Sequence, residues 1–369
     1  MSEYRSQEQA HPVAGQRRGV KCLPALGAVL LVGLTLYASR ASVQPPTQSS
    51  QSLQAGGGNQ QPDKATAKAV AAANAFLELL DAKQRSIALL DFDSGKKAGW
   101  SNLPVTMVKR NGVPLGDLTK AQRGAALDAV AAVLSKQGYQ KVIDIMNGDD
   151  QLVKGKDNKN KFGTDNYYLA FFGKPSAKEP WMLQFGGHHL GINVTIIGKN
   201  AVLTPTHTGA QPTTFTRDGK MVRPLGIEND VAFKLINALD EKQQKQAILG
   251  AKPINLVLGP GQDGKTIQPV GIKGSALTEA QGGLLLELIG AWVNILTDDA
   301  AASRMAEIKS KLGDTYFAWY GPTAKDSAVY YRIQGPTLVI EYAPQGGTNH
   351  IHTIIRDPSN DYGKQLTKQ

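Results

Sequence analysis

Apolar residues recur along this chain at two periods, and the change from one to the other lays out the fold. Spacings of three and four over residues 66–90, 118–137, 229–249 and 277–296 predict amphipathic helices, with Thr119 and Thr278 placed as N-caps. Aromatic and β-branched residues concentrate in 166–173, 180–198, 314–320, 328–342 and 350–356, between Gly, Pro and Asn turns, which predicts antiparallel strands. The order helix, loop, helix, strands therefore occurs twice.

The residues repeat in step with the pattern. Leu80-Asp81-Ala82-Lys83-Gln84 returns as Leu239-Asp240-Glu241-Lys242-Gln243, and Leu118-Thr119-Lys120-Ala121-Gln122 as Leu277-Thr278-Glu279-Ala280-Gln281, both at an offset of 159 residues. Tyr168 to Pro175 parallels Tyr316 to Pro322 at an offset of 148. Three matches in one order predict an α+β fold of two similar halves, about 66–225 and 226–369, produced by internal duplication. Each half is a helix pair plus antiparallel strands, and the sheets are expected to meet at a central cleft within one globular domain, 64–369.

Ahead of this body the pattern breaks. Arg17, Arg18 and Lys21 precede an apolar run from Leu23 to Tyr37 and small residues at Ala38 to Ala41, which predicts a signal peptide over 1–41. At about 15 residues the run is short of the roughly 20 a membrane span needs, so a signal anchor is the alternative and the only expected membrane contact. The Arg17-Arg18 pair also fits a twin-arginine signal. Residues 42–63 are Gln, Ser, Gly and Pro with almost nothing apolar, the composition of a disordered linker. The protein is thus expected to be exported, to a periplasm or to the outside.

Charge adds little to this picture. The chain carries +10, of which a net +3 lies in residues 1–41. A basic stretch at Lys154, Lys156, Lys159 and Lys161 lacks interleaved aromatic residues, so it reads as a solvated face and no nucleic-acid partner is expected. The single cysteine, Cys22, falls inside the signal. A metal site in the mature chain must therefore be built from nitrogen and oxygen.

Histidine supplies the candidate chemistry. Five of the six cluster in the C-terminal part of the chain: His188, His189 and His207, then His350 and His352. Alternation along a continuous strand from Trp181 to Ile197 would turn His188 to an apolar face and His189 to a small, polar one, so the two are expected to point apart, with His189 the better ligand. His350-Ile351-His352 in a strand projects two imidazoles to one side. His207, in the segment Thr204 to Ala210, is read as a loop residue able to add a nitrogen. Glu341 lies between Ile340 and Tyr342 at an inward position and needs a partner. Arg356 and Arg332 are candidates to orient a small anionic substrate, or else to tie the halves together by salt bridges.

Two motifs weigh against other chemistries. Gly259 to Thr266 fits GxxxxGK[ST], but Pro269, Gly271 and Gly274 follow at once. No phosphate-facing helix can begin there, so the segment is read as a loop. GxSxG, HExxH and CxxC patterns are absent.

The stretches 181–193 (WMLQFGGHHLGIN), 317–321 (FAWYG), 330–333 (YYRI) and 350–363 (HIHTIIRDPSNDYG) resemble the domain-of-unknown-function 3500 family over most of residues 66–369. That resemblance implies an exported globular protein and assigns no catalytic role. The histidines therefore carry the functional expectation by themselves. It is an exported metal-dependent enzyme, redox or hydrolytic, with His189, His350, His352 and Glu341 around zinc, copper, iron or manganese. The alternatives are a non-catalytic protein that binds a metal or small ligand, a metal-free acid/base set, and histidines that only stabilise the fold by hydrogen bonding without any ligand.

Overall fold

The computed structural model describes residues 64–153 and 156–367. The expected signal, the linker and Lys154 lie outside them. Besides a single turn at Lys156–Lys159, eight helices cover the described body: α1 (Lys64–Leu79), α2 (Ala82–Ala88), α3 (Lys120–Ala132), α4 (Lys136–Asp150), α5 (Gly226–Ala238), α6 (Glu241–Ala247), α7 (Glu279–Val293) and α8 (Asp298–Ser310). No helix among the described residues is long and apolar enough to cross a membrane.

The repeated pentapeptides turn out to be helix starts. Asp81 and Gln84, Thr119 and Gln122, Asp240 and Gln243, and Thr278 and Gln281 each form a capping box, in which side chain and backbone satisfy one another reciprocally. The capping glutamines then meet in pairs. Gln122 Nε2 donates to Gln84 Oε1 at 2.8 Å, and Gln243 and Gln281 bond at the same distance. Asp81 and Asp240 therefore break the helices expected over 66–90 and 229–249 into two each. Helices α4 and α8 are additional to the expected set.

The sheet is mixed and has 13 strands. Its main path uses β1 (Leu89–Leu90), β2 (Tyr168–Phe172), β3 (Trp181–Gly186), β4 (Leu190–Ile197), β5 (Thr206–Ala210), β6 (Ile248–Gly250), β7 (Tyr316–Tyr320), β8 (Tyr330–Gly335), β9 (Leu338–Pro344) and β10 (Ile351–Arg356). Their order is β1-β2-β3-β4-β5-β10-β9-β8-β7-β6. Along this path β1·β2 and β6·β7 are parallel and the other pairs antiparallel. One sheet thus continues across the middle, where β5 pairs with β10 from Thr206 opposite Ile355 to Ala210 opposite Ile351.

Alternation gives the sheet two unlike faces. Leu183, Phe185, Ile192, Val194, Tyr331, Ile333 and Ile340 join the helices in the main core. The opposite face carries Gln184, Asn193, His207, His352, Glu341, Arg332 and Arg356, all buried. The long irregular segments 91–112 and 251–271 supply their partners. Gln184 donates to Lys97 O, Arg332 to Gln268 O, Gln334 to Ile267 O, and Arg356 to Leu258 O and Gly259 O. A loop laid on a sheet without water must find partners for its backbone, and this row of polar side chains provides them.

Candidate metal centre

The histidines gather at the ends of strands near the β5·β10 junction. His188 and His189 do not continue a strand; they occupy the tight turn between β3 and β4, with His189 in the left-handed region at φ 63°. The alternation expected for an unbroken strand therefore fails here. Instead of pointing apart, the two rings lie side by side with centroids 3.5 Å apart.

His350 precedes β10 and His352 lies within it. His350 Nε2 is 2.8 Å from His189 Nε2 and 3.0 Å from His352 Nε2. Four tetrahedral ligands at the usual zinc–nitrogen length would be about 3.3 Å apart. The three nitrogens thus converge nearly as ligands of one ion do. Hydrogen bonding alone serves them poorly, because a neutral imidazole carries one proton and His350 Nε2 cannot answer both neighbours in line with it. A cation at the centre uses all three lone pairs.

Asp149, in the last turn of α4, stands behind the cluster. Its Oδ1 is 2.7 Å from His188 Nδ1 and 3.4 Å from His189 Nδ1, while Gly163 N donates to Oδ2 at 3.3 Å. A carboxylate on Nδ1 fixes a histidine tautomer and leaves Nε2 bare for a metal. Asp149, His188 and His189 also form a second fully buried group with ligand atoms near one another. Asn102 Nδ2 lies 3.0 Å from His352 Nδ1. Gly209, opposite His352 on β5, leaves the space the rings fill: a Cβ there would sit 3.2 Å from Cδ2 of both His189 and His352.

Burial sets the protonation. It drives His189 and His352 well below the usual imidazole range, His350 to about 4 and His207 to about 3, with neighbouring imidazoles adding to the effect. Neutral imidazole is the form a metal takes. Burial also raises the Asp149 carboxyl, against the pull of His188.

His207 is not on a solvent loop. It is a fully buried residue of β5, its ring 5.2 Å from that of His352 and near-parallel to Trp100, and neither ring nitrogen has a hydrogen-bond partner among the described residues. Glu341 is not brought to the histidines. Its oxygens accept from Val257 N at 2.8 Å, Leu258 N at 2.7 Å and Tyr330 OH at 2.6 Å. Arg356 is occupied by Asp361 at 2.9 Å, Asp263 at 3.1 Å and two loop carbonyls, and Arg332 by Gln268. Both arginines and Glu341 thus anchor loops, because a charged group on a covered sheet face must be paired. The GxxxxGK[ST] segment is such a loop and opens no helix.

The sequence reading missed Asp149, Asn102 and Arg110. For Asp149 there was a signal: an acidic pair, Asp149-Asp150, in the last turn of a helix opposes the helix dipole and asks for another partner. Asn102 and Arg110 sit in irregular chain, where no periodicity marks a direction.

The chain matches the family described as protein of unknown function (DUF3500) over residues 62–364, and it belongs to that family. No curated protein and no solved structure matches it.

Proposed function

We propose that this DUF3500 protein is an exported metal-dependent enzyme whose ion is held by Nε2 of His189, His350 and His352. One observation carries the reading: the Nε2 atoms of His189 and His352 both lie within 3.0 Å of that of His350, across 161 residues of sequence. Three buried or half-buried imidazoles without sulfur suit zinc, copper or iron. Removing Glu341 from the set weakens the case for manganese, which favours oxygen.

Such an ion would supply Lewis-acid activation of water or substrate, or redox chemistry. The protein's own residues prepare it. Asp149 bonds His188 Nδ1 at 2.7 Å and stands 3.4 Å behind His189 Nδ1, and Gly209 admits the rings. Among the described residues the ligand group has three members, and the enzyme reading requires the fourth position to take water or substrate, as in catalytic rather than structural sites. The rival, a non-catalytic binding protein, requires that position to be closed.

Export rests on the N-terminal pattern of basic, apolar and small residues. Duplication of the two halves rests on the paired capping boxes and on the mirrored strand order about β5·β10. His189 belongs to the first half and His350 and His352 to the second, so the site exists only once the halves share a sheet.

Elemental analysis of tag-free protein tests the reading. One transition ion per chain is expected, lost in His189→Ala and His352→Ala variants that keep their circular dichroism. Protein that stays metal-free after exposure to zinc, copper(II) and iron(II) overturns it.

A further inference from the structure

We infer that Asn102 is a positioning residue for the metal centre: its carboxamide sets the tautomer of His352, and Arg110 holds it in place to do so. This rests on the three-histidine reading. Among the described residues, Asn102 meets the cluster through Nδ2, 3.0 Å from His352 Nδ1, and the two ends of an amide have opposite effects there. If the NH2 group donates to Nδ1, the imidazole proton sits on Nε2 and that nitrogen cannot bind a metal. If the amide oxygen accepts from Nδ1–H, the Nε2 lone pair is free. The two ends are nearly equal in size and exchange by a half-turn of the side chain. The structure sets Nδ2 against that nitrogen, so the metal-bound centre requires the Asn102 amide to make its half-turn and present oxygen.

An amide on an irregular segment is useful only if that segment is fixed. Arg110 is buried and has no carboxylate partner among the described residues; Nη1 and Nη2 turn to backbone carbonyls, three of them sharing Nη2, while Nε has no partner among those residues. It donates to Ser101 O at 2.8 Å and to Leu103 O, the residues on either side of Asn102, and to Val108 O. It also donates to Gly187 O at 3.0 Å, next to His188. One guanidinium thus ties the chain bearing Asn102 to the turn bearing His188 and His189. Burial without a counter-charge lowers the Arg110 pKa to about 10, so it still carries its charge at neutral pH. Lysine, with a single ammonium centre, cannot serve both Val108 O at Nη1 and the three carbonyls around Nη2.

The test uses full-length protein loaded with zinc(II) for NMR and with cobalt(II) for absorption. In the wild type, the His352 imidazole should show Nε2 coordination and a slowly exchanging Nδ1–H. Asn102→Leu should lose that protected proton, shift the cobalt bands and weaken zinc binding by roughly 10–100-fold, as removal of such outer partners does. Asn102→Asp, which keeps an acceptor, should restore all three. Arg110→Lys should resemble Asn102→Leu while circular dichroism stays native. Equal zinc affinity and an unchanged Nδ1–H signal in Asn102→Leu overturn the inference. Wild-type protein that takes up neither ion instead overturns the metal reading itself, and the two failures are thereby distinct.

Discussion

Gly209→Ala probes the site without touching a donor atom. The added Cβ would lie 2.9 Å from Ile351 O and 3.2 Å from Cδ2 of both His189 and His352. Ordinary contacts of this kind begin near 3.4 Å, so the strand and both rings must each yield by a few tenths of an ångström. Backbone paired within the β5·β10 ladder gives little, and overpacking of this kind costs about 1–3 kcal/mol. Metal ligands tolerate displacements of only about 0.2 Å, so the rings, forced apart from one side, should lose zinc affinity by roughly tenfold or more. Chelator competition measures the affinity, and urea denaturation of the metal-free protein measures the packing cost separately. A variant with wild-type affinity and stability would refute the packing of the two imidazoles against Gly209.

Four further outcomes follow from the same coordinates. Glu341→Gln should lower stability by about 2–4 kcal/mol in urea denaturation, since an amide turns a donor toward one of the two backbone N–H groups it serves; unchanged metal content would accompany it, and loss of the ion would restore Glu341 to the site. Gly124→Ala and Gly283→Ala, on exposed faces of α3 and α7 with nothing within 4 Å of the new Cβ, should each stabilise the fold by about 0.5–1 kcal/mol; a fall in melting temperature would contradict the helix assignment. Metal-free protein should be acid-labile. His350 is held at about 4 and His207 at about 3, below the roughly 6.5 of an unfolded chain, so as pH falls the unfolded state binds protons first. Stability is therefore full above about 6.5 and declines toward about 4, and equal urea midpoints at pH 7 and pH 5 would count against it. His350→Ala should weaken zinc binding less than His189→Ala in the same chelator competition, since His189 is fully buried whereas His350 is the half-exposed member.

Much of the fold was legible in the residues because its signals are local. A capping box needs four consecutive positions, so Asp81 to Gln84 and Thr278 to Gln281 announce helix starts wherever they occur. Strand alternation likewise needs only near neighbours, and it placed β2, β7 and β10 within a residue or two. The pairing of those helix starts through Gln84 and Gln122 was not legible, although the repeat that encodes it was.

The site was decided differently. His189, His350 and His352 were identifiable from residue type and scarcity, yet their convergence depends on a tight turn at 187–189, which reverses the direction that unbroken alternation assigned. Glu341, Arg332 and Arg356 looked like site residues because buried charge always needs a partner, and sequence cannot say whether that partner is an ion or a loop backbone. Asp149, Asn102 and Gly209 lie about 3 Å from histidines between 20 and 250 positions away. Contacts of that range are written in no local pattern; they come into being only when β5 and β10 join the halves into one sheet.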